Sequence, residues 1–293
     1  MSKTKLFVIY HKPEELIKDE IYTPICVGPN KDQFTDDYLR DDLGDNISNK
    51  NSSYNELTAI YWVYKHLYQF ENVDNIGFCH YRRLFAFSDL SKTAFVRKAN
   101  DPQYTAVSDN QFDSYFKDYD FILPCPTTNK TVRKHYEKSH NKEDIDLLLD
   151  IIKETHFEYY KAALEYVGQY REYLYNMFVF KKEDFEKYAE FMFTVMDEFA
   201  KRKPCDRYFI SERITGIFAH FLILQGKNPL FVPIYHIRKK NHKEARKQYK
   251  ENKAKGKEYG LFFRIKPILL FYFPLWLEQY LRRRISRWKS MII

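Results

Sequence analysis

The chain has 293 residues, 18% of them aromatic and only 8 of them glycine, which suits one large domain with an appended segment. No internal period is visible, and the four cysteines lack CxxC spacing, which excludes a repeat protein, a zinc knuckle and a disulfide framework. The formal charge is +8, but residues 238–293 hold 17 Lys and Arg against 4 Asp and Glu, so residues 1–237 carry a net charge of −5. We therefore expect an acidic body and a basic tail whose partner is an anionic surface.

The first half of the body alternates apolar runs with polar segments. Strands are predicted over residues 5–10 and 22–27, and the first of these apolar runs is too short for a secretory signal, so a cytoplasmic chain is expected. A long polar segment over residues 31–53 precedes a predicted helix over residues 54–70, with Ser53 and Glu56 in capping-box relation. That helix leads into a buried strand that ends at Cys79.

The second half repeats this alternation. Strands are predicted over residues 121–123, 175–180 and 230–233, and helices over residues 144–166, 182–202 and 211–224, the last capped by Ser211. Strands that alternate with helices predict an α/β fold with a mostly parallel central sheet, as a single domain over residues 1–237.

The tail, residues 238–293, has a different character. A basic run over residues 238–257 precedes an aromatic stretch over residues 261–277, which Arg264, Lys266 and two prolines interrupt before it reaches the ~20 residues that a membrane span needs. Five Lys and Arg residues follow between positions 282 and 289. Two interpretations stay open: a helical anchor lying on the anionic inner face of the cytoplasmic membrane, and a helix docked on the body of the protein.

The strand that ends at Cys79 is followed by His80-Tyr81-Arg82-Arg83. In an open α/β sheet, ligands bind at the carboxyl edge of the strands, which is where these side chains should emerge. Guanidinium groups match phosphate oxygens in a bidentate way, so the pair predicts a diphosphate site. The alternative is that Arg82 and Arg83 form structural ion pairs with helix carboxylates.

Several segments together resemble the DUF4422 family of bacterial surface-polysaccharide glycosyltransferases, some of which are assigned as galactofuranosyl or galactosyl transferases. The likeness covers roughly residues 5–233 and includes Gly44-Asp45-Asn46-Ile47-Ser48, Glu56-Leu57-Thr58-Ala59-Ile60-Tyr61-Trp62, His80-Tyr81-Arg82-Arg83, Asn176-Met177-Phe178 and Ser211-Glu212-Arg213. It implies a GT-A-like fold, a UDP-sugar donor and a lipid-linked glycan acceptor in capsular or surface polysaccharide synthesis.

Most GT-A enzymes hold a divalent metal with an Asp-x-Asp at a strand end, whereas here the corresponding strand ends in His80-Tyr81-Arg82-Arg83. We infer that Arg82 and Arg83 replace the charge of the metal. His80 then donates to the diphosphate or, as the weaker alternative, binds a metal alone, and Tyr81 and His11 join the nucleotide site. No metal ligands are predicted, and a dependence on Mn or Mg is disfavoured. Asp118 and Asp120 precede their strand, at the wrong edge for a ligand.

Glu212, in the first turn of a predicted helix, is the candidate general base. The alternatives are that it is an ordinary first-turn acid or that it pairs with Arg213. Asp45 and Asn46 are predicted to contact uridine, although Gly44-Asp45-Asn46 would also form a simple turn. Asn176 is predicted to touch the sugar or the acceptor, with a satisfied edge-strand amide as the alternative. His135 and His140 receive no role.

Two other classes of function stay open. The basic run over residues 238–257 could make the chain a nucleic-acid-binding protein without catalysis, and a degenerate transferase could act as a scaffold for polysaccharide assembly. No nucleic-acid-binding motif is found, and aromatic residues follow the basic run. No nucleic-acid partner is therefore expected.

Overall fold

The computed structural model describes residues 3–88, 90, 95–98, 108–127 and 130–238. The strands among them are β1 Thr4–Tyr10, β2 Tyr22–Cys26, β3 Leu39–Arg40, β4 Asn75–His80, β5 Arg83–Phe85, β6 Phe95–Lys98, β7 Phe121–Pro124, β8 Phe178–Lys181, β9 Pro229–Val232 and β10 Ile234–Arg238. The α-helices among them are α1 Asn51–Tyr54, α2 Leu57–Lys65, α3 Asp109–Asp118, α4 Val132–Glu137, α5 Glu143–Thr155, α6 Phe157–Gly168, α7 Lys182–Arg202 and α8 Ser211–Leu224.

The central sheet has the strand order β3-β2-β1-β4-β8-β7-β9. Strand β8 is antiparallel to both of its neighbours, and the other strands of this sheet run in one direction. After β4 the chain turns back as β5, which pairs with β10, and β10 pairs with β6. The predicted α/β class with a mostly parallel central sheet is therefore confirmed.

Alternating side chains of the strands build a core on each face of the sheet. In β1, Phe7 and Ile9 enter the larger apolar cluster, which helices α2 and α5 to α8 cover. Leu6 and Val8 of the same strand point to the other face, where Phe112 of α3 joins a second cluster. Both faces of β1 are thus buried, as expected for a strand within a mostly parallel sheet.

The structure corrects two predicted helices. The helix predicted over residues 54–70 is broken at Asn55, whose φ of 53° ends α1 before α2 begins, and a short 3₁₀ turn forms its last part. The helix predicted over residues 144–166 is two helices, α5 and α6, that meet at His156. The strands β3, β5, β6 and β10 were not predicted, because they are short and owe their existence to pairing with distant strands.

Both predicted serine caps are wrong. Ser53 Oγ donates to the carbonyl oxygen of Lys50 at 3.1 Å instead of capping a helix. Ser211 is already the first residue of α8, and its Oγ accepts a hydrogen bond from Asn176. The hydrogen bond of Ser53 is local, whereas that of Ser211 joins α8 to a residue 35 positions away, which a local sequence pattern does not reveal.

Residues 239–293, the predicted helical and membrane-binding tail, lie outside the described residues. Within the described ranges, no helix combines the length and the apolar composition that crossing a membrane requires.

Candidate active site

A cleft of about 900 Å³ opens at the carboxyl edge of the sheet. Its floor is formed by the ends of β1, β2 and β4. Its walls are formed by the junction of α1 and α2, by Leu174 and Tyr175, and by the start of α8. Gly28 turns the chain away after β2 with a φ of +89°, a backbone conformation that favours glycine. The polar residues that line it include His11, Asn51, Asn55, Glu56, His80, Tyr81, Arg82, Arg83, His135, His140, Tyr175, Arg207, Ser211, Glu212 and Arg213.

Arg82 and Arg83 stand at the turn between β4 and β5. The carbonyl oxygen of Arg82 accepts a 2.9 Å hydrogen bond from the backbone of Ile237 in β10, which fixes this hairpin. The guanidinium of Arg82 lies 5.2 Å from the ring centre of Tyr81, and that of Arg83 lies 4.4 Å from the ring centre of Tyr175. In the described part of the chain neither arginine has a carboxylate partner, so the alternative of structural ion pairs finds no support there.

His11 and Tyr81 meet in the same cleft, with His11 Nε2 3.2 Å from the hydroxyl of Tyr81. The Tyr81 ring stacks on Tyr10 of β1 at 5.1 Å, so its position follows from the strand packing. Burial lowers the pKa of His11, and the charges of Arg82 and Arg207 lower that pKa further. Arg207 is therefore a second guanidinium, besides that of Arg82, close to His11. It was not predicted from the sequence.

His80 ends β4, and its Nε2 lies 2.7 Å from the carbonyl oxygen of Tyr175. Because a carbonyl only accepts, Nε2 carries the proton and the neutral ring keeps a lone pair on Nδ1. Burial lowers the pKa of His80, and the charges of Arg83 and Arg82 act in the same direction, so the neutral form is favoured. The predicted role as a donor to a diphosphate does not fit this geometry, since the free ring nitrogen is an acceptor.

Glu212 lies in the first turn of α8 and lines the cleft. Burial raises the pKa of its carboxyl group, the charges of Glu56 and Glu172 raise it further, and Arg213 and Arg83 oppose them. Arg213 Nη1 donates to Glu212 at 3.1 Å, as the alternative interpretation expected. Arg213 is mainly held by Glu172, however, which accepts from its Nη2 at 2.7 Å, so Glu212 shares its cation with a second acid.

Arg213 and two histidines form part of the cleft wall, and Glu172 lies behind them. Glu172 also accepts from His135, and both Glu172 and Arg213 are buried. The His140 ring stacks on Phe209 with a centroid distance of 4.5 Å. Neither histidine was given a role from sequence, and both line the cleft here.

Three predicted site residues lie elsewhere. Asn46 folds onto its own loop, where its amide donates to the carbonyl of Gly44 at 2.7 Å and its Oδ1 accepts from Ser48. Asp45 accepts a long hydrogen bond, 3.4 Å, from Tyr61 on the protein surface. Neither residue lines the cleft, so the simple-turn alternative describes this loop. Asn176 is buried behind the cleft wall with its amide engaged by protein partners.

The end of β4 does not supply the carboxylate pair with which a strand end can bind a divalent metal through oxygen atoms. The described residues contain no group of three or more His, Cys, Asp or Glu arranged to hold a metal. Asp120 lies before β7, at the opposite edge of the sheet, where it accepts from the backbone of Asn228 at 2.9 Å and from Lys181. Asp118 belongs to the end of α3, so this pair stays remote from the cleft.

Comparisons with known proteins agree with this architecture. A family model described as "Domain of unknown function (DUF4422)" matches residues 5–225. A solved structure described as the WbbM bifunctional glycosyltransferase in its apo form is 26% identical, with a TM-score of 0.70. The alignment covers 80% of this chain and 45% of that chain, so this chain spans less than half of its length. A search of curated proteins gives no match.

Proposed function

The chain belongs to the DUF4422 family, and we propose that it is a glycosyltransferase that moves a sugar from a nucleoside diphosphate to a hydroxyl acceptor. One observation carries this proposal. Four guanidiniums and two carboxylates, those of Glu56 and Glu212, line the same cleft at the carboxyl edge of the sheet. Cations suit a diphosphate, and carboxylates suit the hydroxyl groups of sugars and acceptors. The likeness to WbbM supports the same assignment.

In the proposed reaction an acceptor hydroxyl oxygen attacks the anomeric carbon of the donor sugar. The bond from that carbon to the diphosphate oxygen breaks, and its electron pair leaves with the nucleoside diphosphate. Arg82 and Arg83 stabilise the charge that grows on the leaving group. Glu212 takes the proton of the attacking hydroxyl, and its raised pKa brings its proton affinity closer to that required near neutral pH.

The proposal includes a UDP-sugar as donor, with galactose or galactofuranose as the transferred sugar. It also includes a lipid-linked glycan as acceptor, within the synthesis of a bacterial capsular or surface polysaccharide at the inner face of the cytoplasmic membrane. These details are supported by the sequence resemblance and by the basic, aromatic tail.

The test is calorimetric titration of the full chain with UDP, GDP and ADP, followed by release of nucleotide from a panel of nucleotide sugars. We expect UDP to bind most tightly and at least one UDP-sugar to be hydrolysed in the absence of acceptor. Tight binding of GDP alone would change the donor class. If no nucleoside diphosphate binds and no sugar is released, the transferase proposal is wrong.

A further inference from the structure

Tyr175 and Asn176 form an unusual turn just before β8. Their φ angles are 80° and 49°, in the left-handed region that residues other than glycine rarely adopt. Such conformations persist where surrounding contacts impose them, and they concentrate at functional sites. One consequence of the turn is that the carbonyl oxygen of Tyr175 accepts a hydrogen bond from the His80 ring and so positions this ring in the cleft.

A second consequence of the turn is the buried position of the Asn176 side chain. It is 1% exposed. Its Nδ2 donates to Glu56 Oε1 at 2.8 Å and to Ser211 Oγ at 3.1 Å, while its Oδ1 accepts from Thr215 Oγ1 at 2.7 Å. Both amide hydrogens are thus directed at protein partners, and Asn176 joins the α1–α2 junction to the start of α8. Its side-chain amide therefore contacts other residues of the site and has no hydrogen left to donate to a ligand.

Glu56 is the residue that this amide orients. It lies directly before α2 and lines the cleft. Its negative charge adds to burial in raising the pKa of Glu212, and it opposes the lowering of the pKa of His80 by burial, so its carboxylate lies close to both groups. Among the described residues, Glu56 has the neutral amide of Asn176 as its partner and makes no ion pair.

Glu56 is half-buried and accepts one hydrogen bond, from Asn176, so its carboxylate oxygens can accept further hydrogen bonds from a ligand in the cleft. Arg82 and Arg83 line the same cleft, so a donor whose diphosphate is held by them places its sugar elsewhere in that space, where Glu56 is available. A carboxylate can accept hydrogen bonds from two hydroxyl groups at once, and such charge-assisted bonds are stronger than neutral ones. On the basis of the function proposed above, we propose that Glu56 binds hydroxyl groups of the transferred sugar and that Asn176 is its positioning residue.

The first test is Glu56→Gln, which keeps an acceptor for Asn176 but removes the charge. The probes are UDP and whichever nucleotide sugar the unaltered chain hydrolyses fastest. We expect the KM for the nucleotide sugar to rise about tenfold to hundredfold, the loss of one or two charge-assisted hydrogen bonds, while the Kd for UDP changes less than about twofold. Glu165→Gln is the matched control, since Glu165 is 43% exposed on α6 and does not line the cleft.

Two results would overturn the role of Glu56. One is an unchanged KM for the nucleotide sugar. The other is a large fall in kcat at constant KM together with loss of the acid limb of the pH profile, which would make Glu56 the general base. If the unaltered chain binds no nucleoside diphosphate at all, both this inference and the proposed function fail. If the unaltered chain binds UDP but Glu56→Gln leaves the KM for the nucleotide sugar unchanged, only this inference fails.

The second test asks whether Asn176 acts through Glu56. Asn176→Ala should raise the KM for the nucleotide sugar in the native background, and add less than about twofold once Glu56→Gln is present, because residues that act as one unit are not additive. If Asn176→Ala does not fold, Thr215→Val replaces it and removes the hydrogen bond to Asn176 Oδ1. Losses that multiply fully in the double variant would contradict a positioning role.

Discussion

Arg82 and Arg83 are adjacent in sequence, and both line the cleft although one stacks on Tyr81 and the other on Tyr175. Each is expected to contribute to diphosphate binding independently of a metal. Replacing either by alanine should weaken UDP binding by about 1.5 to 3 kcal/mol, or roughly one to two decades in Kd. Calorimetric titration with UDP measures the loss directly.

A matched control exists for these two variants. Arg171 is exposed, as Arg82 is, and lies over an aromatic ring, 4.8 Å from the ring centre of Phe231, but it does not line the cleft. Arg171→Ala should therefore leave UDP binding unchanged. If both Arg82→Ala and Arg83→Ala behave like this control, the diphosphate does not bind at the β4–β5 turn.

We expect Glu212 to accept the proton of the attacking hydroxyl group. Glu212→Gln is expected to lower kcat by about two to four decades while UDP and donor binding are retained. Burial raises the pKa of this carboxyl group, and the base works only when deprotonated, so kcat/KM should fall as the pH drops, beginning above the usual range for glutamate. Rates measured across pH in both proteins check this. An active Glu212→Gln enzyme with an intact acid limb would move the base elsewhere.

We expect arginine side chains, and not a metal ion, to supply the positive charge for the diphosphate. Since β4 supplies no carboxylate pair, activity should change less than about twofold on addition of EDTA, because oxygen ligands are what Mg and Mn require. Nucleotide release with and without the chelator is the measurement. Should EDTA abolish turnover and manganese restore it, Glu56 and Glu212 would become the first candidates for metal ligands.

Part of this site follows from the sequence and part does not. Arg82, Arg83 and Glu212 were predicted because a strand end and a helix start are local features. Glu56 was assigned to a capping box, since its real partner, Asn176, is 120 residues away in the chain. Asn46 was assigned to the nucleotide because a polar loop has the same composition whether its side chains bind a ligand or its own backbone.

At the scale of elements, the junction of α1 and α2 is the largest departure from the predicted structure. Asn55 has φ 53° and ψ −125°, a combination that costs a residue with a Cβ atom and suits glycine. Its side chain accepts from Arg207 Nε at 2.9 Å and donates to the carbonyl oxygen of Ser53. These contacts link the junction to the loop before α8, which helps to close the cleft.

Two substitutions at Asn55 separate the backbone from the side chain. Asn55→Gly and Asn55→Ala both lose the contacts to Arg207 and Ser53, but only alanine keeps the backbone strain. We expect Asn55→Ala to be less stable than Asn55→Gly by about 1 to 2 kcal/mol in urea unfolding. Equal stabilities would mean that the helix break relaxes and that the conformation at Asn55 is not imposed by the fold.

The long elements were predictable because their apolar pattern is strong. Strand β1 and helix α7 have nearly the predicted bounds, since an alternation or a helical period over many residues leaves few alternatives. Short strands such as β3 and β10 carry no comparable signal, and only the neighbouring strand makes them extended. The break at His156 between α5 and α6 was not predicted, because the helical spacing of the apolar residues continues across it.

At the scale of the whole molecule, we propose that the acidic body and the basic tail have separate tasks. Removing residues 260–293 should leave a folded body that no longer binds anionic membranes, since each of the five Lys and Arg residues between positions 282 and 289 can add about 1 kcal/mol against an acidic leaflet. Flotation with phosphatidylglycerol vesicles measures the binding, and phosphatidylcholine vesicles serve as the control.

The same truncation tests the alternative for the tail. Release of nucleotide from the donor should persist in the shortened chain, while transfer to a lipid-linked acceptor in vesicles should fall. Aggregation, or loss of a cooperative thermal transition, would show instead that residues 260–293 belong to the core of the body.

The Tyr175–Asn176 turn also bears on how the chain reaches its native state. Its hydrogen bonds to His80 and Glu56 join residues that are 95 and 120 positions apart. Contacts between such distant segments carry a large loop-closure entropy and slow the search for the native topology. A collapsed intermediate with its helices formed would therefore still lack an assembled cleft, and the capacity to bind a nucleotide would mark the completion of folding.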